Sequence, residues 1–226
     1  MSAVRGTPLR AVLFDWRLTL VHDPPHEWWV ATALQRAGRT AGEGLVATHC
    51  DALRRAAQLP EVVTGEVGCD CSSAAHREWS LMYFRLAGLD DELAESLYAL
   101  DFDPAAHPFY PDVAPVLRAL RERGCRVAVV SDIHVDLRPE FAAANLDGYV
   151  DAFVLSYEHG VQKPDRAIFD IALRALDVGP EEALMVGDRA SHDGGAVAAG
   201  ITTLLLPPVA SAETPVGLAR VLALVG

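Results

Sequence analysis

The chain has 226 residues, of which 51% are hydrophobic and 22% are charged, and its formal net charge is −12. This apolar content predicts a folded protein with a sizeable core and argues against disorder. The acidic balance argues against a nucleic-acid-binding surface, which would need a basic patch.

The sequence shows no sign of a membrane anchor or a secretory signal. The start of the chain lacks the long apolar region of a signal peptide, and no apolar run approaches the roughly 20 residues of a membrane span. We therefore expect a cytoplasmic protein that does not bind membranes. The cysteines, Cys50, Cys69, Cys71 and Cys125, lack the paired spacing of a zinc site and are expected to be reduced.

The first predicted element is a strand at residues 11–14, which leads directly into Asp15. An unbroken apolar run is typical of a central strand in a parallel sheet that helices cover on both faces. Sheets of this kind place their chemistry at the carboxyl ends of the strands. Asp15 is therefore the first candidate catalytic residue.

A helical segment follows. Between residues 26 and 100 the pattern predicts helices at 28–37, 45–59, 72–86 and 91–100, separated by glycine or proline, and no strand. The proline-rich residues 101–111 read as a linker that returns to the first domain. We therefore predict an inserted, mostly helical cap domain at residues 22–107, and a core domain made of residues 1–21 and 108–226.

The second half of the chain alternates strands and helices. The predicted order is a helix at 112–123, strands at 126–130 and 152–155, a helix from Asp165 to 176, a strand at 183–186, a small-residue helix ending at Gly200, a strand at 202–206 and a helix at 216–225. With right-handed crossovers these units form a three-layer α/β core on a Rossmann-like parallel sheet.

Chemistry-bearing residues follow the predicted strands: Asp15, Ser131, Lys163, Asp188 and Asp193. Lys163 is the only lysine among 19 basic residues. The set resembles the haloacid dehalogenase-like hydrolase superfamily in four motifs, which are Asp15-Trp-Arg-Leu-Thr19, Val129-Val-Ser131, Lys163-Pro-Asp165 and Gly187-Asp188-Arg-Ala-Ser-His-Asp193. Their order and spacing agree with the branch of the family that inserts a helical cap after the first motif.

The resemblance implies a role for each motif. A carboxylate can attack a phosphoryl centre and split one hard displacement into two easier ones, and Asp15 is the implied nucleophile. The implied ligands of a Mg²⁺ cofactor are Asp15, the Arg17 backbone carbonyl and Asp188, with Asp193 supporting them. The implied substrate-binding residues are Thr19, Ser131, Asp132 and Lys163. Of these, Ser131 and Lys163 would hold the transferring phosphoryl oxygens.

Arg17 departs from the family pattern. Phosphatases of this family usually carry a second aspartate there, which protonates the leaving group and then activates water. Arginine stays protonated at ordinary pH and cannot replace it. Loss of such a group typically costs about 10²–10⁴-fold in rate. We therefore expect the attack on the substrate to survive better than complete turnover.

Three functions are compatible with Arg17. In the first, the protein is still a phosphatase, which uses a good leaving group, a water chain, or a nearby histidine such as His22, His134 or His192 as a substitute base. In the second, Arg17 binds an anionic group and the reaction is carbon–halogen hydrolysis, because the dehalogenase branch also lacks the second aspartate. In the third, catalysis is lost and the protein binds a phosphorylated partner.

The acidic pair Asp188 and Asp193 favours the first function, because metal-free dehalogenation does not require it. The related phosphonate-cleaving branch needs a lysine in its cap, and residues 22–107 contain none. We therefore predict a Mg²⁺-dependent phosphatase that acts on a small phosphorylated metabolite through an aspartyl-phosphate at Asp15. We expect a monomer or a homodimer.

Overall fold

The structure is a computed structural model that describes residues 7–225. Contacts divide it into two compact units. The α/β unit comprises the chain up to His22 and from Pro108 onward, and the helical unit is Asp23–His107. Within the described residues, the α-helices of the helical unit are α1 (His26–Arg36), α2 (Glu43–Ala56), α3 (Pro60–Glu66), α4 (Ser73–Leu86) and α5 (Asp91–Leu100). Those of the α/β unit are α6 (Val113–Glu122), α7 (Arg138–Ala143), α8 (Ser156–His159), α9 (Arg166–Leu176) and α10 (Val221–Leu224).

The α/β unit is built on one parallel sheet. In the described part of the chain its strands are β1 (Ala11–Phe14), β2 (Arg126–Ser131), β3 (Ala152–Leu155), β4 (Ala183–Gly187) and β5 (Thr202–Leu205). Their order across the sheet is β3-β2-β1-β4-β5, and each neighbouring pair is parallel. The first strand is therefore central, as its unbroken apolar run predicts.

Helices cover both faces of this sheet, which gives the three-layer arrangement predicted from the sequence. Phe14 shares a buried cluster with Leu117 of α6 on one face. Leu13 shares a second cluster with Phe169 of α9 on the other face. All four side chains are buried. Full burial of an apolar side chain of this size stabilises the fold by about 1.5–3 kcal/mol, so the sheet forms a firm base for the loops at its edges.

Two predicted helices of the α/β unit are different in the structure. The small-residue helix is a 3-10 helix, Asp193–Ala199, because its adjacent glycines weaken a regular α-helix. The single helix predicted at 216–225 is instead a 3-10 helix, Leu218–Arg220, followed by the four-residue α10. Gly217 there has a φ of 96°, which a helix does not accept. Helices α7 and α8 were not predicted, because they are too short to show a helical period.

The helical unit has its own core. Val30, Leu34, Leu53 and Leu93 belong to one buried cluster formed by α1, α2 and α5. The predicted helix at 45–59 is wrong at its end, because α2 stops at Ala56 and Pro60 begins α3. Proline is accepted at the first position of a helix but not in its interior. Ser72 and Asp90 cap α4 and α5, each accepting a backbone N–H with its side chain.

Among residues 7–225, no helix combines the length and the apolar character needed to cross a membrane.

Candidate active site

The site lies at the carboxyl edge of the sheet. The chain fills the positions on one side of β1 first, with β2 and β3, and then crosses over to form β4 and β5 on the other side. In open parallel sheets this reversal opens a crevice beyond the strand ends, where ligands bind. Asp15 follows β1, Ser131 ends β2 and Asp188 follows β4. The topology therefore brings the sequence-predicted residues to one edge.

Asp15 is held firmly where β1 ends. Its backbone N–H donates to the carbonyl of Val186 at 2.9 Å, which continues the pairing with β4. The chain then folds back, because the carbonyl of Trp16 accepts the N–H of Leu20 at 2.8 Å. Leu18 takes up the bend with a φ of 58°, a left-handed conformation that is uncommon outside glycine. Asp15 is 7% exposed, so only a small part of the side chain reaches solvent.

In the same turn, Thr19 contacts the Asp15 side chain and Trp16 packs into the core. The hydroxyl of Thr19 lies 3.5 Å from Asp15 Oδ2, and Thr19 is completely buried. The ring of Trp16 packs edge-on against Phe109, with 5.3 Å between centroids, and lies 5.4 Å from the Phe141 ring. Thr19, predicted to bind substrate, thus contacts the nucleophile candidate itself in this structure.

Lys163 lies between two carboxylates. Its Nζ is 2.5 Å from Asp15 Oδ1 and 2.6 Å from Asp193 Oδ1, and the side chain is 1% exposed. The backbone N–H of Lys163 donates to Asp132 Oδ1 at 2.8 Å. Asp132, predicted to bind substrate, therefore holds the segment that carries the lysine. The structure brings Asp15, Lys163 and Asp193 together as one buried ion-paired group.

Burial and charge act against each other on this group. Burial lowers the pKa of the Lys163 ammonium, but the carboxylates of Asp15, Asp193 and Asp132 outweigh it and hold the pKa above its ordinary value. Burial raises the pKa of Asp15, with Lys163 opposing and Asp193 reinforcing the shift. The pKa of Asp188 is raised to about 7 by burial and by the charges of Asp15 and Asp193. The site therefore has more negative charge than its one ammonium balances.

Asp193 shapes the loop after β4. Its Oδ2 accepts the backbone N–H groups of Asp188 at 3.1 Å and Arg189 at 2.9 Å, while its Oδ1 accepts from Lys163. Gly187 makes this possible, because a Cβ at that position would overlap the carboxyl group of Asp193. Gly187 opens the fourth sequence motif, but its steric role could not be predicted, since the contact depends on how the loop folds back.

The acidic cluster fits a hard divalent cation. Among the described residues, Asp15, Asp188 and Asp193 each offer a carboxylate oxygen, and these oxygens lie within 4.8 Å of one another. An oxygen-only donor set is what Mg²⁺ prefers. Burial, reinforced by the charges of Asp15 and Asp193, raises the pKa of Asp188, as expected where carboxylates share a site with little positive charge.

The remaining candidates are placed as follows. Arg17 is half-buried two residues after Asp15, and Ser131 is 3% exposed at the end of β2. The ring of His22 packs edge-on against Tyr110, 6.1 Å between centroids. His134 is buried, and His192 Nδ1 lies 2.9 Å from the hydroxyl of Ser191. The assignment of a substitute base stays a prediction.

Comparisons with known proteins identify the family. A family model described as haloacid dehalogenase-like hydrolase matches residues 9–200. The glyceraldehyde 3-phosphate phosphatase of Methanopyrus kandleri is 34% identical over 202 residues, which cover 87% of this chain and 83% of that protein. The (S)-2-haloacid dehalogenase 1 of Pseudomonas sp. is 34% identical over 96 residues, which cover 42% of each chain.

Solved structures share the fold. The crystal structure of a HAD phosphatase from Thermococcus onnurineus matches with a TM-score of 0.63 and 22% identity, covering 96% of this chain and 98% of that chain. The family model, the long match to the M. kandleri protein and the residues at the sheet edge lead to the same result. This chain belongs to the haloacid dehalogenase-like hydrolase family.

Proposed function

We propose that this protein is a Mg²⁺-dependent phosphatase of a small phosphorylated metabolite. The observation that carries the proposal is the buried group at the carboxyl edge of the sheet. There Asp15 lies 2.5 Å from the single lysine of the chain and beside two further carboxylates. A carboxylate nucleophile, a fixed cation and an oxygen-rich metal site are the parts that phosphoryl transfer needs.

The relatives support the same class of substrate. The M. kandleri relative, which matches most of this chain, is named for the dephosphorylation of glyceraldehyde 3-phosphate, a small phosphorylated molecule. We extend only the class to this chain. Its cytoplasmic location, its state as monomer or homodimer and its lack of nucleic-acid partners remain predictions from the sequence.

Asp15 carries the first step. One of its carboxylate oxygens forms a bond to phosphorus, and the ester bond between phosphorus and the leaving oxygen breaks. The leaving oxygen keeps the bonding electrons and takes a proton from solvent. The Nζ of Lys163 and the hydroxyl of Ser131 hold oxygens of the phosphoryl group during this transfer. Water then attacks the acyl phosphate, which releases inorganic phosphate and restores the Asp15 carboxylate.

The residues that would hold Mg²⁺ are Asp15, Asp188 and Asp193. The family resemblance adds the backbone carbonyl of Arg17 as a further ligand. When bound, the ion would offset the charges of the phosphoryl group and the carboxylates. Asp193 contributes mainly as a support, since both of its oxygens already accept hydrogen bonds from Lys163 or from the backbone.

Arg17 limits the second step. Its guanidinium cannot take a proton from the attacking water. The acyl phosphate on Asp15 should therefore form faster than it is hydrolysed. The quality of the leaving group should then affect the rate at which the acyl phosphate forms, and affect the steady-state rate much less, because hydrolysis of the acyl phosphate is the same step for every substrate.

Phosphate release with and without metal tests the proposal. We expect the wild-type protein to release phosphate from an aryl phosphate when Mg²⁺ is present. With excess chelator, the rate of release should be at least about tenfold lower. A panel of small phosphorylated metabolites would then identify the substrate. Equal rates with Mg²⁺ and with chelator would contradict the metal assignment.

Carbon–halogen hydrolysis is the second candidate, since one relative is named as a 2-haloacid dehalogenase and Arg17 offers a cation for a carboxylate. The cluster of three acidic residues argues against it, because that chemistry does not call for a metal site. Halide release from a 2-haloacid, with no phosphate release from any phosphorylated compound, would favour this alternative.

A further inference from the structure

We propose that Gly195 is a positioning residue. The absence of a side chain at this position lets the Lys163–Pro164 segment lie close enough to the sheet edge for Lys163 to reach Asp15. The effect on catalysis rests on the proposed function above, whereas the effect on the position of Lys163 does not.

The contact leaves no room for a methyl group. A Cβ built on Gly195 would lie 2.6 Å from Pro164 Cβ, 2.7 Å from the Pro164 carbonyl oxygen and 2.9 Å from Pro164 Cα. Ordinary contact between carbon atoms needs about 3.5–4.0 Å. Two of the three crowded atoms belong to the backbone, so a change of side-chain rotamer cannot relieve the overlap.

A side chain at position 195 is excluded by steric overlap and not by backbone conformation. Gly195 lies in the 3-10 helix Asp193–Ala199, and its backbone conformation is one that other residues adopt without strain. Its neighbour Gly194 lies in the same helix, and no heavy atom comes within 4 Å of a Cβ built there. The two glycines therefore form a matched pair, in which only one contacts the lysine-bearing segment.

A displacement of Pro164 is transmitted to Lys163. The proline ring fixes its own φ angle, so the segment moves as a stiff piece. Lys163 precedes the proline, and its backbone N–H and Nζ are both held, at 2.8 Å by Asp132 and at 2.5 Å by Asp15. Restoring ordinary contact with an alanine at position 195 requires a shift of roughly 1 Å, and a misplacement of about 1 Å can cost about 10²-fold in rate.

The single lysine gives a direct measure of this shift. In protein labelled with ¹³C-lysine, each signal of the side chain belongs to Lys163, since the sequence has no other lysine. We expect Gly195→Ala to move the Lys163 side-chain signals in the NMR spectrum and Gly194→Ala to leave them in place. This measurement does not depend on enzymatic activity.

Kinetics give the second measure. Gly195→Ala should lower kcat about 10²-fold with a smaller change in KM, and Gly194→Ala should keep the wild-type rate. In a Lys163→Met background, Gly195→Ala should not lower kcat further, because Gly195 acts through Lys163. A purely structural role would instead cause the same additional loss in that background.

Each outcome decides the proposal. Unchanged lysine signals in Gly195→Ala, equal effects of the two alanine variants, or an additive loss in the Lys163→Met background would overturn it. So would a Gly195→Ala variant that fails to fold while Gly194→Ala folds, because Gly195 would then serve the fold rather than the lysine. If the wild type releases no phosphate, the proposed function fails, and the lysine signals still decide the role of Gly195.

Discussion

Replacement of Asp15 with asparagine is expected to lower phosphate release by about 10⁴-fold or more, because the amide cannot act as the nucleophile. The fold should persist, since asparagine has the same shape and its oxygen can still accept from Lys163. The measurement is the steady-state rate of phosphate release from an aryl phosphate, together with circular dichroism to verify the fold.

Asp170→Asn is the matched control for this substitution. It makes the same chemical change on α9, where Asp170 pairs with the exposed side chain of Arg166 at 3.2 Å. Its rate should equal that of the wild type. An Asp15→Asn variant that retains a rate within tenfold of the wild type would show that another group attacks the substrate.

Replacement of Lys163 with methionine is expected to affect both stability and activity. Methionine keeps the length of the side chain but leaves the buried carboxylates of Asp15 and Asp193 facing each other without a cation. Removing one partner of a buried ion pair typically costs about 3–5 kcal/mol. We expect a loss of this size in the free energy of unfolding, measured by urea denaturation, and a loss of about 10³-fold in phosphate release.

The double variant Lys163→Met, Asp193→Asn is the control for this stability prediction. It removes a negative charge along with the positive one, so it should recover part of the lost free energy. The buried lysine would have no structural role if Lys163→Met unfolds at the same urea concentration as the wild type. Catalytic activity should not return in the double variant, because the cation that holds the phosphoryl group is still missing.

The strands were predictable because their signals are local. Residues 11–14 form an apolar run that ends on Asp15, and the same pattern recurs before Ser131 and Asp188, so the sequence predicts which residues meet at the sheet edge. The position of Lys163 in the sequence does not show that it pairs with the acidic residues. The resemblance to the family implies this pairing.

Other features depend on contacts between distant segments. The side chain of Asp132 holds the backbone of Lys163, which is 31 residues away, and the sequence does not predict this contact. Substrate binding by Asp132 stays a prediction. The sequence assigns no steric role to Gly187, the first residue of the fourth motif, or to Gly195, and only the folded chain shows what a side chain there would meet. The helix predicted at 216–225 was wrong in extent. The Asp112 carboxylate accepts the backbone N–H groups of Gly217 and Leu218, so the helical segment begins only at Leu218.

The helical insertion is the part for which the sequence predicts least about function. Its helices follow from periodicity and caps, such as Ser72 before α4. Its assignment as a cap domain rests on the resemblance to the family and remains a prediction.

The most direct test of the central claim is to stop the wild-type enzyme with acid during turnover and locate the phosphoryl group by peptide mass spectrometry. We expect the peptide that contains Asp15 to carry the phosphoryl group, and to accumulate because Arg17 does not activate water. An Arg17→Asp variant should accumulate less of it and release phosphate faster. A wild-type enzyme that releases phosphate while Asp15 is unmodified at every quench time would contradict the account.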